Sequence, residues 1–216
     1  MHNIGKGLVL LSLAASTAYA DTQLVAPPTD RIVIDVITVN GTGCPANTAA
    51  IAVSPDNTAF TVSYAAYTAQ VGVGAGATDF RKNCNLNLLV HVPSGFAYAV
   101  ASANYRGFAS LASGATASQR ANYFFQGQST SGLIIHNLPT GPYMDDWQTT
   151  DATPVASLVF SPCGALRNLN INTELRVAAG TSDPTKTTSF VTMDSTDGAI
   201  TTTYTFSWMS CPVHKS

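Results

Sequence analysis

The stretch that decides the fold is NLNINTELRV, residues 168–177. Its apolar residues at 169, 171, 175 and 177 alternate with polar ones, so an extended chain here has one largely apolar face and one wholly polar face. Residues 200–208, ITTTYTFSW, repeat the alternation with aromatic side chains on one face. Alternation with a period of two is typical of half-buried strands, and a one-residue slip would move every aromatic from core to solvent.

Shorter strand patterns extend this picture to most of the chain. They fall at residues 31–39, 51–54, 59–64, 86–92, 97–105, 123–125, 133–136, 156–160 and 190–193. Gly- and Pro-rich turns separate them, and the best helical stretch, residues 117–121, has only five residues. These patterns predict an all-β protein folded as an antiparallel β-sandwich, for which jelly-roll connectivity is one possible topology.

The first twenty residues have the features of a signal peptide. Lys6 precedes an apolar run over residues 7–15, and Ala18 and Ala20 are small residues at the two specificity positions of a cleavage site. We therefore expect residues 1–20 to be removed and residues 21–216 to form a single sandwich domain. No later stretch approaches the roughly 20 apolar residues of a membrane-spanning helix, so the expected product is secreted and extracellular, with no membrane span.

Four cysteines, Cys44, Cys84, Cys163 and Cys211, all lie in the expected mature chain. Export to an oxidising compartment favours two disulfides, for which three pairings are possible. We favour pairing sequence neighbours, Cys44 with Cys84 and Cys163 with Cys211, because each bond then staples one half of the fold. A zinc site of four cysteines is the rival, but it usually requires CxxC pairs, which the sequence lacks.

The charge pattern argues against one class of partner. The chain has a formal net charge of −2, and only 10% of its residues are charged. Nucleic-acid binders need clustered Lys and Arg to displace counterions from phosphates, whereas here Arg81 and Lys82 are the only adjacent basic pair. We therefore expect no nucleic-acid partner, and a surface built mostly from neutral polar side chains.

Catalytic signatures are missing from the sequence. No GxSxG, HExxH, CxxC or P-loop motif occurs, and His91, His136 and His214 show no metal-ligand spacing. Glu174 is the only glutamate, and its place on a polar strand face predicts exposure to solvent, which argues against a glycosidase carboxylate pair. No catalytic residue is assigned.

The segment GPYMDDWQTTD, residues 141–151, most resembles a binding site. We expect a turn-rich loop in which Asp145 and Asp146 lie beside Trp147, a side chain that can stack on a sugar or anchor a protein partner. Carboxylates of such a loop, including Asp151, are also ligands that Ca²⁺ accepts. The alternative is a loop whose Trp folds back onto the core. DSTDG, residues 194–198, lacks the full EF-hand ligand series and is better explained as a turn.

Several segments together carry a family resemblance. They are VNGTGCP (39–45), FRKNCNLNL (80–88), VPSGF (92–96), YRG (105–107), YFFQG (123–127), GPYMDDW (141–147), SPCG (161–164), NINTELRV (170–177) and TMDSTDG (192–198). In this order they resemble a family of secreted, uncharacterised proteins of actinobacteria and fungi. The resemblance implies export and a β-rich fold, and it assigns no site residues.

Two main hypotheses about function follow, and a calcium-stabilised structural coat protein is left as a third. The first is a non-enzymatic extracellular or cell-surface module that binds a cell-wall glycan or a protein through Trp147, Asp145 and Asp146. We expect it to need no cofactor, and calcium is the one exception that the sequence leaves open. The second is a secreted hydrolase whose site is defined by geometry alone. It requires His91 or His136 within about 3 Å of a Ser or Asp in a cleft.

Overall fold

The computed structural model describes residues 23–128, 132–193 and 201–212. The strands are β1 Leu24–Val25, β2 Val33–Asn40, β3 Ala49–Val53, β4 Ala59–Tyr64, β5 Thr68–Gly72, β6 Arg81–His91, β7 Phe96–Leu111, β8 Thr116–Phe125, β9 Ile134–Asn137, β10 Tyr143–Ala152, β11 Asn168–Ala178, β12 Thr188–Thr192 and β13 Thr201–Ser210. One short 3₁₀ helix, Val155–Ser157, follows β10. The predicted cleavage site and residues 194–198 lie outside the described residues.

Two antiparallel sheets pack face to face. The eight-stranded sheet follows the order β3-β4-β13-β7-β12-β5, with β1 added to β13 and β10 added to β7. The five-stranded sheet has the order β2-β6-β11-β8-β9. The long strand β7 pairs with β10 on one side. On its other side, the first half of β7 pairs with β13 and the second half pairs with β12. The predicted all-β antiparallel sandwich is confirmed.

The core lies between the sheets and is rich in aromatic residues. Tyr98, Phe206 and Trp208 meet edge-on or tilted, with ring centroids 5.3–6.1 Å apart. Leu169, Ile171 and other inward residues of β11 cover them from the five-stranded sheet. The alternation predicted for residues 168–177 and 200–208 is confirmed, since every second residue of β11 and β13 is buried.

Both predicted disulfides are present. Cys44 pairs with Cys84, joining the turn after β2 to β6, and Cys163 pairs with Cys211, joining the segment before β11 to the end of β13. Their Cα–Cα distances are 5.2 Å and 5.7 Å. With all four cysteines bonded, none is left to ligate zinc.

Two local predictions are wrong, and the one weak helical pattern forms a strand. Residues 117–121 belong to strand β8 rather than to a helix, since they pair with both β9 and β11. Residues 156–160 form no strand; the chain turns through the 3₁₀ helix, and Val159 is 52% exposed. Residues 141–151 are mostly strand β10 rather than a loop, because β10 pairs with β7 along the whole length of β10. Strand β5 had no counterpart in the prediction.

Candidate functional site on the five-stranded sheet

The outer face of the five-stranded sheet is built from amide side chains. Strand alternation turns every second residue of β2, β6, β8 and β11 away from the core, and asparagine is frequent at these positions. We call this surface the asparagine face and define it by Asn40, Asn83, Asn85, Asn87, Asn122, Asn168, Asn170 and Asn172. Strand register aligns Asn40, Asn85, Asn172 and Asn122 in one row across four strands. The neighbouring row contains Asn87 and Asn170, with Phe124 at its end.

Hydrogen bonds hold part of the asparagine face in place. Asn87 Nδ2 donates to Asn170 Oδ1 at 2.8 Å, and Asn87 Oδ1 accepts from Asn168 Nδ2 at 2.6 Å. Asn85 Nδ2 donates to Asn40 Oδ1 at 3.2 Å. A carboxamide offers two N–H donors and two acceptor lone pairs, so each of these contacts leaves further capacity for a ligand. The face is thus a preordered array of neutral donors and acceptors.

Glu174 lies at one end of the asparagine face, among three arginines. Its carboxylate is 2.5 Å from Arg81 Nη2 and 3.8 Å from Arg120 Nη1, and it also accepts a hydrogen bond from Arg176 Nε. The prediction that Glu174 is solvent-exposed is wrong in degree, because its side chain is only 14% exposed. It does lie on the predicted polar face, where the arginines cover it.

A second polar centre joins the two sheets at the edge formed by β9 and β10. His136 Nε2 of β9 lies 2.5 Å from Asp151 Oδ1 of β10. The other oxygen of Asp151 accepts a hydrogen bond from the Tyr123 hydroxyl, which also contacts the Tyr105 hydroxyl. Asp151 is 3% exposed. Burial raises the pKa of Tyr123 well above its usual value, and the charges of Tyr204 and Asp151 add to the effect, so Tyr123 stays protonated as the donor.

His91, the other histidine considered as a catalytic candidate, also pairs with a carboxylate. His91 Nε2 lies 2.7 Å from Asp35 Oδ2, and both side chains are substantially exposed. His91 lines an open cavity of about 370 Å³ together with Ser94 and Ser161. Ser161 Oγ already accepts a hydrogen bond from the Tyr98 N–H. Both His91 and His136 therefore lie within about 3 Å of an aspartate, as the hydrolase hypothesis requires. Of the two, His91 lines the cavity described above.

The predicted ligand-binding residues are only partly brought together. Trp147 points inward and is 5% exposed, because it lies against Gly107 of the adjacent β7. Asp145 and Asp146 are exposed, and Asp145 Oδ1 accepts a hydrogen bond from the Asp146 N–H. Asp151 takes part in the His136 pair instead of joining them.

The described residues contain neither a grouped set of metal ligands nor a membrane-spanning helix. No three His, Cys, Asp or Glu side chains of the described ranges are grouped so that they could hold a metal ion. Within the same ranges, the fold contains no helix that is long and apolar enough to cross a bilayer.

The asparagine face was not predicted from the sequence, although the sequence contains a pattern that indicates it. Asparagine recurs with a period of two in residues 83–87 and again in residues 168–172, at the outward positions of two strands. The strand register of β6 and β11 then places the two runs side by side. Three of the segments that carry the family resemblance, residues 39–45, 80–88 and 170–177, contribute to this surface or its arginine end.

Comparisons with known proteins give a family and a compartment. A family model described as "Domain of unknown function (DUF4360)" matches residues 30–211. An "Uncharacterized secreted protein" of Arthroderma benhamiae is 36% identical over 186 residues, covering 86% of this chain and 74% of that relative. Among solved structures, the enzymatically active domain of tailspike protein 4 of bacteriophage CBA120 matches 81% of this chain at 13% identity. Its TM-score is 0.27, and the match spans only 19% of the tailspike chain.

Proposed function

We propose that this chain, which belongs to the family described as Domain of unknown function (DUF4360), is a non-enzymatic extracellular module that binds a glycan through its asparagine face. The protein is secreted and extracellular, so polysaccharides are among the surfaces it meets. We place the start of the mature chain at Asp21, which N-terminal sequencing of the secreted protein would test.

The observation that supports this proposal is the register of the asparagine rows. Sugar hydroxyls both donate and accept hydrogen bonds, as carboxamides do, so an array of amides offers matched partners without a net charge. The contact from Asn87 to Asn170 and that from Asn168 to Asn87 fix three of these amides before a ligand arrives. Such preorganisation lowers the entropy lost on binding. A row of amides that extends across four strands suits an extended polymer better than a small molecule.

The test is a co-sedimentation assay of the secreted protein with insoluble chitin, cellulose and β-glucan. Wild-type protein should bind at least one polymer saturably, and Asn87→Ala and Asn170→Ala should each weaken that binding by about tenfold, the loss expected for about 1.4 kcal/mol. Asn104→Ala is the matched control, because Asn104 lies on the eight-stranded sheet and accepts a hydrogen bond from Thr150 instead. Equal binding by all three variants would contradict the proposal.

Asp145 and Asp146 form a second proposed contact, for a glycan or for a protein partner. Both are exposed on β10, which pairs with β7 alone in the described part of the chain. Trp147 packs over Gly107 of β7 and is buried, so it is not available for stacking on a ligand. Asp146→Asn should weaken ligand capture and leave the unfolding midpoint unchanged; unchanged capture would remove Asp146 from the site.

A secreted hydrolase is the second candidate function, favoured by one observation. His91 pairs with Asp35 at 2.7 Å and lines the same cavity as Ser94. An imidazole oriented by a carboxylate is the base that activates a serine nucleophile. Incubation with chromogenic esters and polysaccharides would test this candidate. Product release that disappears in His91→Ala and Ser94→Ala would support it, and absence of release by the wild type would reject it.

A further inference from the structure

Three arginines from three different strands converge at one end of the asparagine face. Arg81 of β6 and Arg176 of β11 lie directly opposite each other in register, and Arg120 of β8 lies opposite Glu174. Like charges placed directly opposite on neighbouring strands destabilise a sheet. Glu174 relieves this repulsion, but one carboxylate offsets only one of three positive charges. The cluster therefore carries an excess of two positive charges on a protein whose net charge is negative.

The exposures of these side chains decide which charge a ligand meets. Arg81, Arg120 and Arg176 are 46%, 25% and 41% exposed, whereas Glu174 is 14% exposed. The anion is thus the more buried partner, and the cations reach solvent above it. Each guanidinium carries five N–H donors in a planar fork that matches a carboxylate. Glu174 uses only a few of the fifteen donors of the cluster.

Beside the cluster lies an open cavity of about 600 Å³. Arg120 and Arg176 line it together with Ser118, Asn137 and Thr140, while Glu174 does not. The polar lining therefore consists of cations and neutral donors from β8, β9, the turn after β9, and β11. Asn172 is two residues from Glu174 along β11, a spacing of about 7 Å. One extended chain can therefore contact the asparagine rows and reach this cavity.

We propose that the ligand is an acidic polysaccharide, with a sugar carboxylate held by Arg120 and Arg176 in this cavity and the adjoining sugars bound by the asparagine rows. This inference rests on the proposed glycan-binding function and names its ligand class. The sugar carboxylate neutralises one of the two positive charges that Glu174 leaves uncompensated. The asparagine rows supply selectivity for sugars, because a polyanion without hydroxyl groups would leave those amides without partners.

The test compares two forms of one polymer, polygalacturonate and its fully methyl-esterified form, by isothermal titration or affinity electrophoresis. Wild-type protein should bind the acidic form at least tenfold more tightly than the ester, and added salt should weaken the binding. Arg120→Gln and Arg176→Gln should each remove most of this preference. Arg106→Gln is the matched control, because Arg106 is exposed on β7 in the other sheet and should behave as the wild type.

The outcomes separate this inference from the proposed function. Binding of neutral polymers that needs Asn87 and Asn170 but ignores the arginine variants would overturn the acidic-ligand inference alone. If no polysaccharide of either kind binds, the proposed function itself fails. Equal binding of duplex DNA would show attraction to any polyanion and would overturn the inference. If Arg176→Gln unfolds, Arg176→Lys is the second variant, because it keeps the positive charge but lacks the planar guanidinium. Wild-type affinity in Arg176→Lys would contradict the proposal that the guanidinium of Arg176 holds the sugar carboxylate.

Discussion

The buried centre around Asp151 predicts a large effect from the loss of a single hydroxyl. Tyr123→Phe removes the group that donates to Asp151 and contacts Tyr105, and it changes no carbon atom of the ring. A hydrogen bond to a charged group contributes about 1.5–3 kcal/mol, and an unpaired buried hydroxyl costs about 1–3 kcal/mol. Since these effects overlap, we expect the free energy of unfolding to fall by about 3 kcal/mol.

The half-buried Tyr143, whose hydroxyl makes its hydrogen bond at the surface, supplies the matched control for this prediction. Its hydroxyl donates to the Asp146 carbonyl oxygen at 2.8 Å in an exposed position, so Tyr143→Phe should cost no more than about 0.5 kcal/mol. The assay is urea unfolding under non-reducing conditions, followed by tryptophan fluorescence, with the m-value unchanged. For a chain of this size the Tyr123 variant should melt about 6–12 °C lower. Equal, small losses in both variants would refute the view that Asp151 depends on Tyr123.

The remaining predictions concern pH, packing and the disulfides. Burial raises the pKa of Tyr64 to about 12, whereas an unfolded tyrosine ionises near pH 10. Between pH 10 and pH 12 the unfolded state therefore holds fewer protons than the folded state. The urea midpoint should fall as the pH rises over this range. An unchanged midpoint over that range would contradict this burial. In Gly107→Ala the new Cβ would lie 1.8 Å from the backbone carbonyl oxygen of Thr192. We therefore expect thermal melting to show a loss of about 3 kcal/mol in the free energy of unfolding. Gly132→Ala is the control and should be neutral, because the space around Gly132 is open. Replacing Cys44 and Cys84 together by Ser should cost about 2–5 kcal/mol in chemical unfolding, and wild-type stability would show that this bond is dispensable.

The sequence predicts those parts of the fold in which a strand covers the core with one face. β11 and β13 are of this kind, because alternation there follows directly from burial on one side. Residues 117–121 have a weak helical pattern because alanine favours helices, yet Ala117 and Ala121 are buried at inward positions of β8. Tertiary pairing with two neighbouring strands overrides that local preference.

Strand β10 was missed for a related reason. Its residues are mostly polar because it lies at the side of its sheet, and only Trp147 and Asp151 are buried. Hydrogen bonds to β7, rather than an apolar pattern, make it a strand.

The candidate sites depend on contacts that no local pattern reveals. His136 and Asp151 belong to different sheets, and only the packing of the two sheets brings them within 2.5 Å. Arg81, Arg120 and Arg176 are far apart in sequence, so the adjacent pair Arg81 and Lys82 gives no sign of the arginine cluster. The asparagine runs were readable, but their alignment into rows depends on the register between β6 and β11.

The pairing of β1 with β13 brings the two ends of the described chain together. Leu24 lies opposite Met209, so the chain enters and leaves the sandwich at neighbouring points of the eight-stranded sheet. The asparagine face belongs to the other sheet and looks the opposite way. Closely spaced ends tolerate circular permutation and insertion into a host protein. The sandwich could therefore be displayed on a carrier through both ends at once, with its five-stranded sheet turned outward.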